Sequence, residues 1–129
     1  METELKINIL VVDDNYINRL LLSKIISKWG ATSDFAENGV QAVEKIISGN
    51  HYDVVLMDIH MPEMGGIEAT QVIRAKKEPY FQNLPIIALT ASILSGERIK
   101  IYEAGMNDYI MKPFEHKSLF DKLSLYHKV

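Results

Sequence analysis

The sequence predicts an α/β domain of five successive strand–helix units, a (βα)5 doubly wound parallel sheet with helices on both faces. Three observations predict it. Short runs such as Ile7 to Val12 are mostly apolar and β-branched, the pattern of strands covered on both sides. Longer stretches between them repeat apolar residues at helical spacing. The two kinds alternate strictly along 129 residues, about 26 per unit and near the ~30 of a strand–helix–strand repeat.

Each element follows from its residues. The first strand is Ile7-Asn8-Ile9-Leu10-Val11-Val12. After Asn15 a helix carries Ile17, Leu21, Ile25 and Trp29 at roughly helical spacing, with Leu20, Leu22 and Ile26 widening the stripe and Gly30 as its stop. Thr32 to Ala36 is a short second strand, and Val40, Val43 and Ile47 mark the second helix, ending at Gly49. Tyr52-Asp53-Val54-Val55-Leu56-Met57 is the third strand; Ile67, Val72 and Ile73 belong to a third helix. Pro85-Ile86-Ile87-Ala88-Leu89 reads as the fourth strand, with proline tolerated only at its first position. The next helix, Ser95 to Ala104, has an irregular stripe in Ile99, Ile101 and Tyr102. Asp108 to Met111 is a short fifth strand, and Leu119, Leu123 and Tyr126 mark the last helix. No linker, repeat or low-complexity tract interrupts the chain, so residues 1–129 are expected to form a single domain with a core of about 7–126.

Composition narrows the function classes. With 47% hydrophobic and 24% charged residues the chain is globular in type, so disorder is excluded as the main state. It has no cysteine, which excludes a disulfide scaffold, a thiol nucleophile and a cysteine-ligated metal. The net charge is −3 with no basic cluster, so no nucleic-acid partner is expected in this segment. No apolar run reaches the ~18 residues of a membrane span, and a soluble cytoplasmic domain without membrane contact is expected.

In a parallel α/β sheet the carboxyl ends of all strands lie on one edge, where ligands bind. Asp13-Asp14 follow the first strand, Asp58 the third, Thr90 the fourth and Lys112-Pro113 the fifth. Each has a plainer explanation: Asp14 or Asn15 as a helix N-cap, Asp58 as a loop start, Thr90 as a cap, Lys112 as a solvated charge. The plain explanations fail together, because capping does not require two adjacent acids and a third beside them. Carboxylates a few Å apart repel by roughly 4 kcal/mol at an effective dielectric near 20. Three of them with one ammonium leave about −2, which raises a pKa or recruits a divalent cation. All-oxygen donors with room for water favour Mg²⁺. A magnesium-dependent phosphoryl site follows, with an aspartate available as nucleophile and Lys112 and Thr90 as donors to the phosphoryl oxygens.

At these residues the chain resembles the receiver domain of bacterial-type response regulators, a flavodoxin-like fold, including the chemotaxis regulator and the receivers of hybrid sensor kinases. The likeness runs from Ile7 to about Tyr126. It rests on Val11-Val12-Asp13-Asp14-Asn15, on Met57-Asp58-Ile59-His60-Met61-Pro62-Glu63-Met64-Gly65-Gly66, on Ala88-Leu89-Thr90-Ala91 and on Tyr109-Ile110-Met111-Lys112-Pro113-Phe114. The resemblance implies strand order 2-1-3-4-5. It implies Asp58 as phosphoacceptor from a phosphohistidine or a small donor such as acetyl phosphate. Asp14 would bind Mg²⁺ directly and Asp13 through water, with Asp58 and the backbone carbonyl of His60 completing the protein's share. Lys112 would pair with the phosphoryl oxygens, its bond to Pro113 being cis. Thr90 would move toward the phosphoryl group and Tyr109 swing inward behind it, altering the surface of the helix after strand four and of strand five. His60 and Ser92 would influence the acyl-phosphate lifetime.

A histidine kinase or a histidine phosphotransfer protein is the implied partner, and a monomer or weak dimer the implied state. The stretch Asp13 to Arg19 resembles that of hybrid-kinase receivers, whose parent protein can be membrane-anchored; a stand-alone regulator is the alternative. No separate-substrate enzyme is expected in this segment, only self-phosphorylation and autodephosphorylation. Three other classes compete. A flavodoxin-like flavin binder would need phosphate donors where Asp13-Asp14 stand. An aspartate-nucleophile phosphatase would want a second acid where His60 stands. A pure interaction module would carry its acids as relics. Ligation through the His60 ring has no support from His51, His116 or His127, which lack ligand spacing with it.

Overall fold

The central strands are buried on both faces and satisfy their backbone hydrogen bonds with their neighbours, while the two edge strands are only partly buried. In a computed structural model, which describes residues 5–91, 93 and 96–126, the five runs form one parallel sheet. β1 (Asn8–Val12), β2 (Thr32–Ala36), β3 (Val54–Asp58), β4 (Ile86–Thr90) and β5 (Asp108–Met111) lie in the order β2-β1-β3-β4-β5. The order implied by the resemblance is the order observed. Pro85 stays just outside β4 and uses only its carbonyl, which accepts from Val55 N–H at 2.9 Å.

The helices are α1 (Tyr16–Ser27), α2 (Gly39–Ile47), α3 (Gly66–Arg74), α4 (Pro79–Asn83), α5 (Glu97–Ala104) and α6 (His116–Ser124). Leu22, Ile25 and Ile26 of α1 join Leu119 and Leu123 of α6 over one face of the sheet. Ala42 and Ile46 of α2, Ala69 and Ile73 of α3 and Ile101 of α5 cover the other. Among the described residues no helix is long and apolar enough to cross a membrane.

Three expectations need correction. The inward face of α1 is rotated from the predicted stripe: Ile17, Leu20 and Leu21 are exposed, because Leu22, Ile25 and Ile26 at spacings of three and one fill the contact with the sheet. In α2 likewise Val40 and Ile47 are exposed while Ala42 and Ile46 are buried. Small residues bring that helix close; a Cβ on Gly39 would stand 2.7 Å from Met64 Cγ. The count of five helices also missed α4, whose five residues starting at a proline are too few for a periodic signal. Arg74 anchors that insertion, donating to the carbonyls of Phe81 and Leu84 at 2.7 Å and of Gly105 at 3.0 Å, and to Asn107 Oδ1 at 3.1 Å.

Candidate functional site

Register places the polar residues side by side. Val12 pairs with Met57, so Asp13 stands level with Asp58; Asp58 pairs with Leu89 and Thr90 with Met111, so Thr90 and Lys112 extend the same edge. One carboxylate oxygen from each of Asp13, Asp14 and Asp58 lies within 4.8 Å of the others. Lys112 Nζ is 2.8 Å from Asp58 Oδ2 and 3.5 Å from Asp13 Oδ2. The solvated-charge explanation of Lys112 is therefore wrong for this fold.

Local structure holds each group. Asn15 caps α1, its side chain accepting from Asn18 N–H at 3.1 Å, which leaves Asp14 exposed and uncommitted to capping. Asp13 is fully buried; its carboxylate accepts from Asn15 N–H at 2.9 Å and Asn18 Nδ2 at 3.2 Å, while its carbonyl accepts from Arg19 at 2.7 Å. Asp58 is the last residue of β3, and Oδ1 accepts from His60 N–H at 3.3 Å. α3 begins so close behind it that a Cβ on Gly66 would collide with the Asp58 carbonyl oxygen. That approach is what the glycine pair of the loop permits. The Lys112–Pro113 bond is cis.

The imidazole of His60 is largely exposed and turned toward Glu97, with Nε2 3.9 Å from Oε2. Thr90 is buried at the end of β4, and its hydroxyl donates to Glu97 Oε1 at 3.2 Å. Tyr109 is half-buried, with Arg98 and Lys122 at 6.0 and 5.7 Å from its ring centroid. Ser92 and His127 lie outside the described residues. Sequence reading missed Asn18, Arg19 and Glu97. The first two were accessible through the Asn15–Asn18 capping interval; Glu97 was not, because no pattern ties an acid in the first turn of α5 to the Thr90 hydroxyl.

The charges are finely balanced. Each carboxylate pair repels by at least about 3.5 kcal/mol at an effective dielectric of 20, and Lys112 returns about 5–6 kcal/mol to each of its two partners. Burial then decides. It pushes the Asp58 carboxyl up; Lys112 opposes this through its hydrogen bond and charge, and Asp13 adds to it. Burial alone would lower Lys112, but the hydrogen bond and charge of Asp58, with Asp13 behind it, hold the ammonium above its usual range. A rim with this unmet demand for positive charge, built of oxygen donors and open on the Asp14 side, fits a hard divalent cation of the Mg²⁺ type.

A profile of the response regulator receiver domain matches residues 9–124. The chain belongs to this family. As a receiver domain it is 37% identical over 126 residues to two-component response regulator 24 of Arabidopsis thaliana, covering 98% of this chain and 86% of that protein. It also matches histidine kinases of Escherichia coli, rice and Dictyostelium discoideum, of whose length it spans only 3–13%. Among solved structures the receiver domain of sensor histidine kinase PA1611 from Pseudomonas aeruginosa superposes with a TM-score of 0.84 at 36% identity, covering 94% of this chain and 97% of that one. That structure holds a magnesium ion in its active-site cleft. The receiver domain of yeast Ssk1, solved with the histidine phosphotransfer protein Ypd1, gives a TM-score of 0.85 at 32% identity, covering 96% and 90%. The receiver fold and its place in two-component signalling thereby supersede the flavin-binder and phosphatase alternatives.

Proposed function

We propose that this receiver is a phosphoryl-accepting switch in which Asp58 is the nucleophile, Lys112 and Thr90 bind the transferred group's oxygens, and Asp13, Asp14, Asp58 and the His60 carbonyl hold Mg²⁺. One observation carries the reading: acids from two strand ends and a lysine from a third meet within ligand and hydrogen-bond distance. In the step, a carboxylate oxygen of Asp58 forms a P–O bond as the P–N bond of a phosphohistidine breaks, its electron pair leaving on the imidazole. With acetyl phosphate the acyl oxygen leaves instead. Lys112, now bonded to Asp58, is placed to follow the negative charge onto the phosphoryl oxygens. Bound Mg²⁺ supplies neutralising charge for the incoming group. The carboxylate becomes an acyl phosphate of greater negative charge; Thr90 and Tyr109 carry that local change to the α5–β5 surface.

The partner is a histidine kinase or histidine phosphotransfer protein in the cytoplasm. Support comes from the yeast receiver solved with Ypd1 and from an exposed apolar strip on α1, Tyr16, Ile17, Leu20 and Leu21, next to Asp14 in the chain. A hybrid kinase is the favoured parent, given the small share of the matched kinases that the chain spans. A stand-alone regulator is the alternative, and the likeness to the Arabidopsis regulator, of which the chain spans 86%, speaks for it.

Exposure to labelled acetyl phosphate with Mg²⁺ tests the chemistry. Asp58→Asn should fold normally and take up no label; wild-type labelling of that variant would overturn the assignment.

A further inference from the structure

Glu97 is the first residue of α5, where negative charge offsets the unpaired N–H groups of the helix start. Its side chain does more than that position requires. Oε1 accepts the Thr90 hydroxyl at 3.2 Å, and Oε2 faces His60 at 3.9 Å, so one carboxylate spans the rim from the end of β4 to the loop after β3. Thr90 is only 2% exposed and the Glu97 side chain 27%, which shelters the hydrogen bond from water. Arg98, the next residue, lies against the Tyr109 ring, so the same helical turn touches both residues assigned to the switch.

A hydroxyl has one proton to donate. While Thr90 donates it to Glu97, it is not donating to a phosphoryl oxygen on Asp58. We propose that Glu97 is a positioning residue that holds Thr90 in its resting orientation and thereby sets how readily the receiver adopts its phosphorylated form. This rests on the reading of Thr90 as a phosphoryl-binding group. The release is built in: a phosphoryl group offers Thr90 a competing anionic acceptor.

Fluoroberyllate, a tetrahedral stand-in for the phosphoryl group, tests this when titrated calorimetrically into the Mg²⁺-loaded chain and its variants. Glu97→Ala should bind it about tenfold more tightly, equivalent to about 1.4 kcal/mol. Glu97→Gln keeps an oxygen acceptor for Thr90 and should stay within about threefold of wild type. Thr90→Val should weaken binding, and adding Glu97→Ala to it should change nothing further. Loss of a helix-end charge, or of a nearby repulsion, would act equally in both backgrounds, so coupling to Thr90 is the diagnostic. If Thr90→Val weakens binding but Glu97→Ala does not tighten it, the restraint is refuted and the Thr90 assignment stands. An equal effect of Glu97→Ala in both backgrounds also refutes the restraint. If Thr90→Val binds like wild type, both fall. Urea unfolding of each variant establishes that the fold is intact, with Glu97→Gln as the less disruptive comparison.

Discussion

Replacing Lys112 by alanine leaves Asp13 and Asp58 facing each other without their ammonium. The three side chains are 23%, 0% and 10% exposed, so little water enters to compensate. Breaking a buried ion pair costs about 3–5 kcal/mol, and the partial exposure of Lys112 places this loss at about 3 kcal/mol. The same change takes the rim from about −2 to −3. For a dication held roughly 4 Å from the ammonium position, removing that unit charge would be worth about 2 kcal/mol even with full water screening, a factor of roughly 30. Lys112→Ala should therefore be less stable in chelator yet bind Mg²⁺ at least tenfold more tightly, by that arithmetic, so that Mg²⁺ restores much of the lost stability. The penalty belongs to ionised Asp58, whose carboxyl is already pushed up, so it is present at neutral pH and fades as acid protonates that group. Urea unfolding with and without Mg²⁺, and calorimetric Mg²⁺ titration, read both arms. An unchanged unfolding midpoint in chelator, or weaker Mg²⁺ binding, would refute the charge balance described here.

Two further changes probe the scaffold. Gly66→Ala drives a methyl into the Asp58 carbonyl and to within about 3.1 Å of Met57 Cγ; a loss of about 2–3 kcal/mol in urea unfolding is expected, with weaker Mg²⁺ binding as Asp58 is displaced. Tyr52→Phe removes the hydroxyl that donates to Asp34 Oδ2 at 2.7 Å. Burial would raise the Asp34 carboxyl, but the hydrogen bonds from Tyr52 and Phe35 N–H and the nearby Lys45 outweigh it and hold it below its usual range. A depressed carboxylate stabilises the fold above its unfolded pKa and loses that contribution as pH falls through the folded one. The cost of Tyr52→Phe, about 1 kcal/mol after discounting for the partial exposure of Asp34, should thus appear at neutral pH and shrink below about pH 4 in parallel unfolding curves.

β1, β3 and β4 were legible because burial on both faces leaves continuous apolar runs that no helix stripe produces, as at Val54 to Met57; β2 and β5, short and only partly buried at the sheet edges, carry no such pattern. The site was legible for a related reason: Asp13, Asp58 and Thr90 each interrupt such a run at its carboxyl end, Lys112 follows the short β5, and parallel pairing must bring those ends to one edge. Strand order came with the family resemblance, since alternation alone permits several orders. The facing of α1 was not legible, because Ile17, Leu20, Leu21, Leu22, Ile25 and Ile26 satisfy helical spacing on more than one face. α4 and the Arg74 clasp were silent, being a single helical turn held by carbonyl contacts that leave no side-chain pattern. Nothing in the sequence pattern singles out Glu97, since an acid in the first turn of a helix gives no sign of the hydroxyl it accepts from.

Magnesium titration followed by amide NMR is the most direct test of the shared-cation rim. Saturable shifts should centre on Asp13, Asp14, Asp58 and His60 and weaken markedly in Asp13→Asn. Resonances that stay still at millimolar Mg²⁺, or that move instead around His51 and Tyr80 at the opposite end of the sheet, would contradict the account.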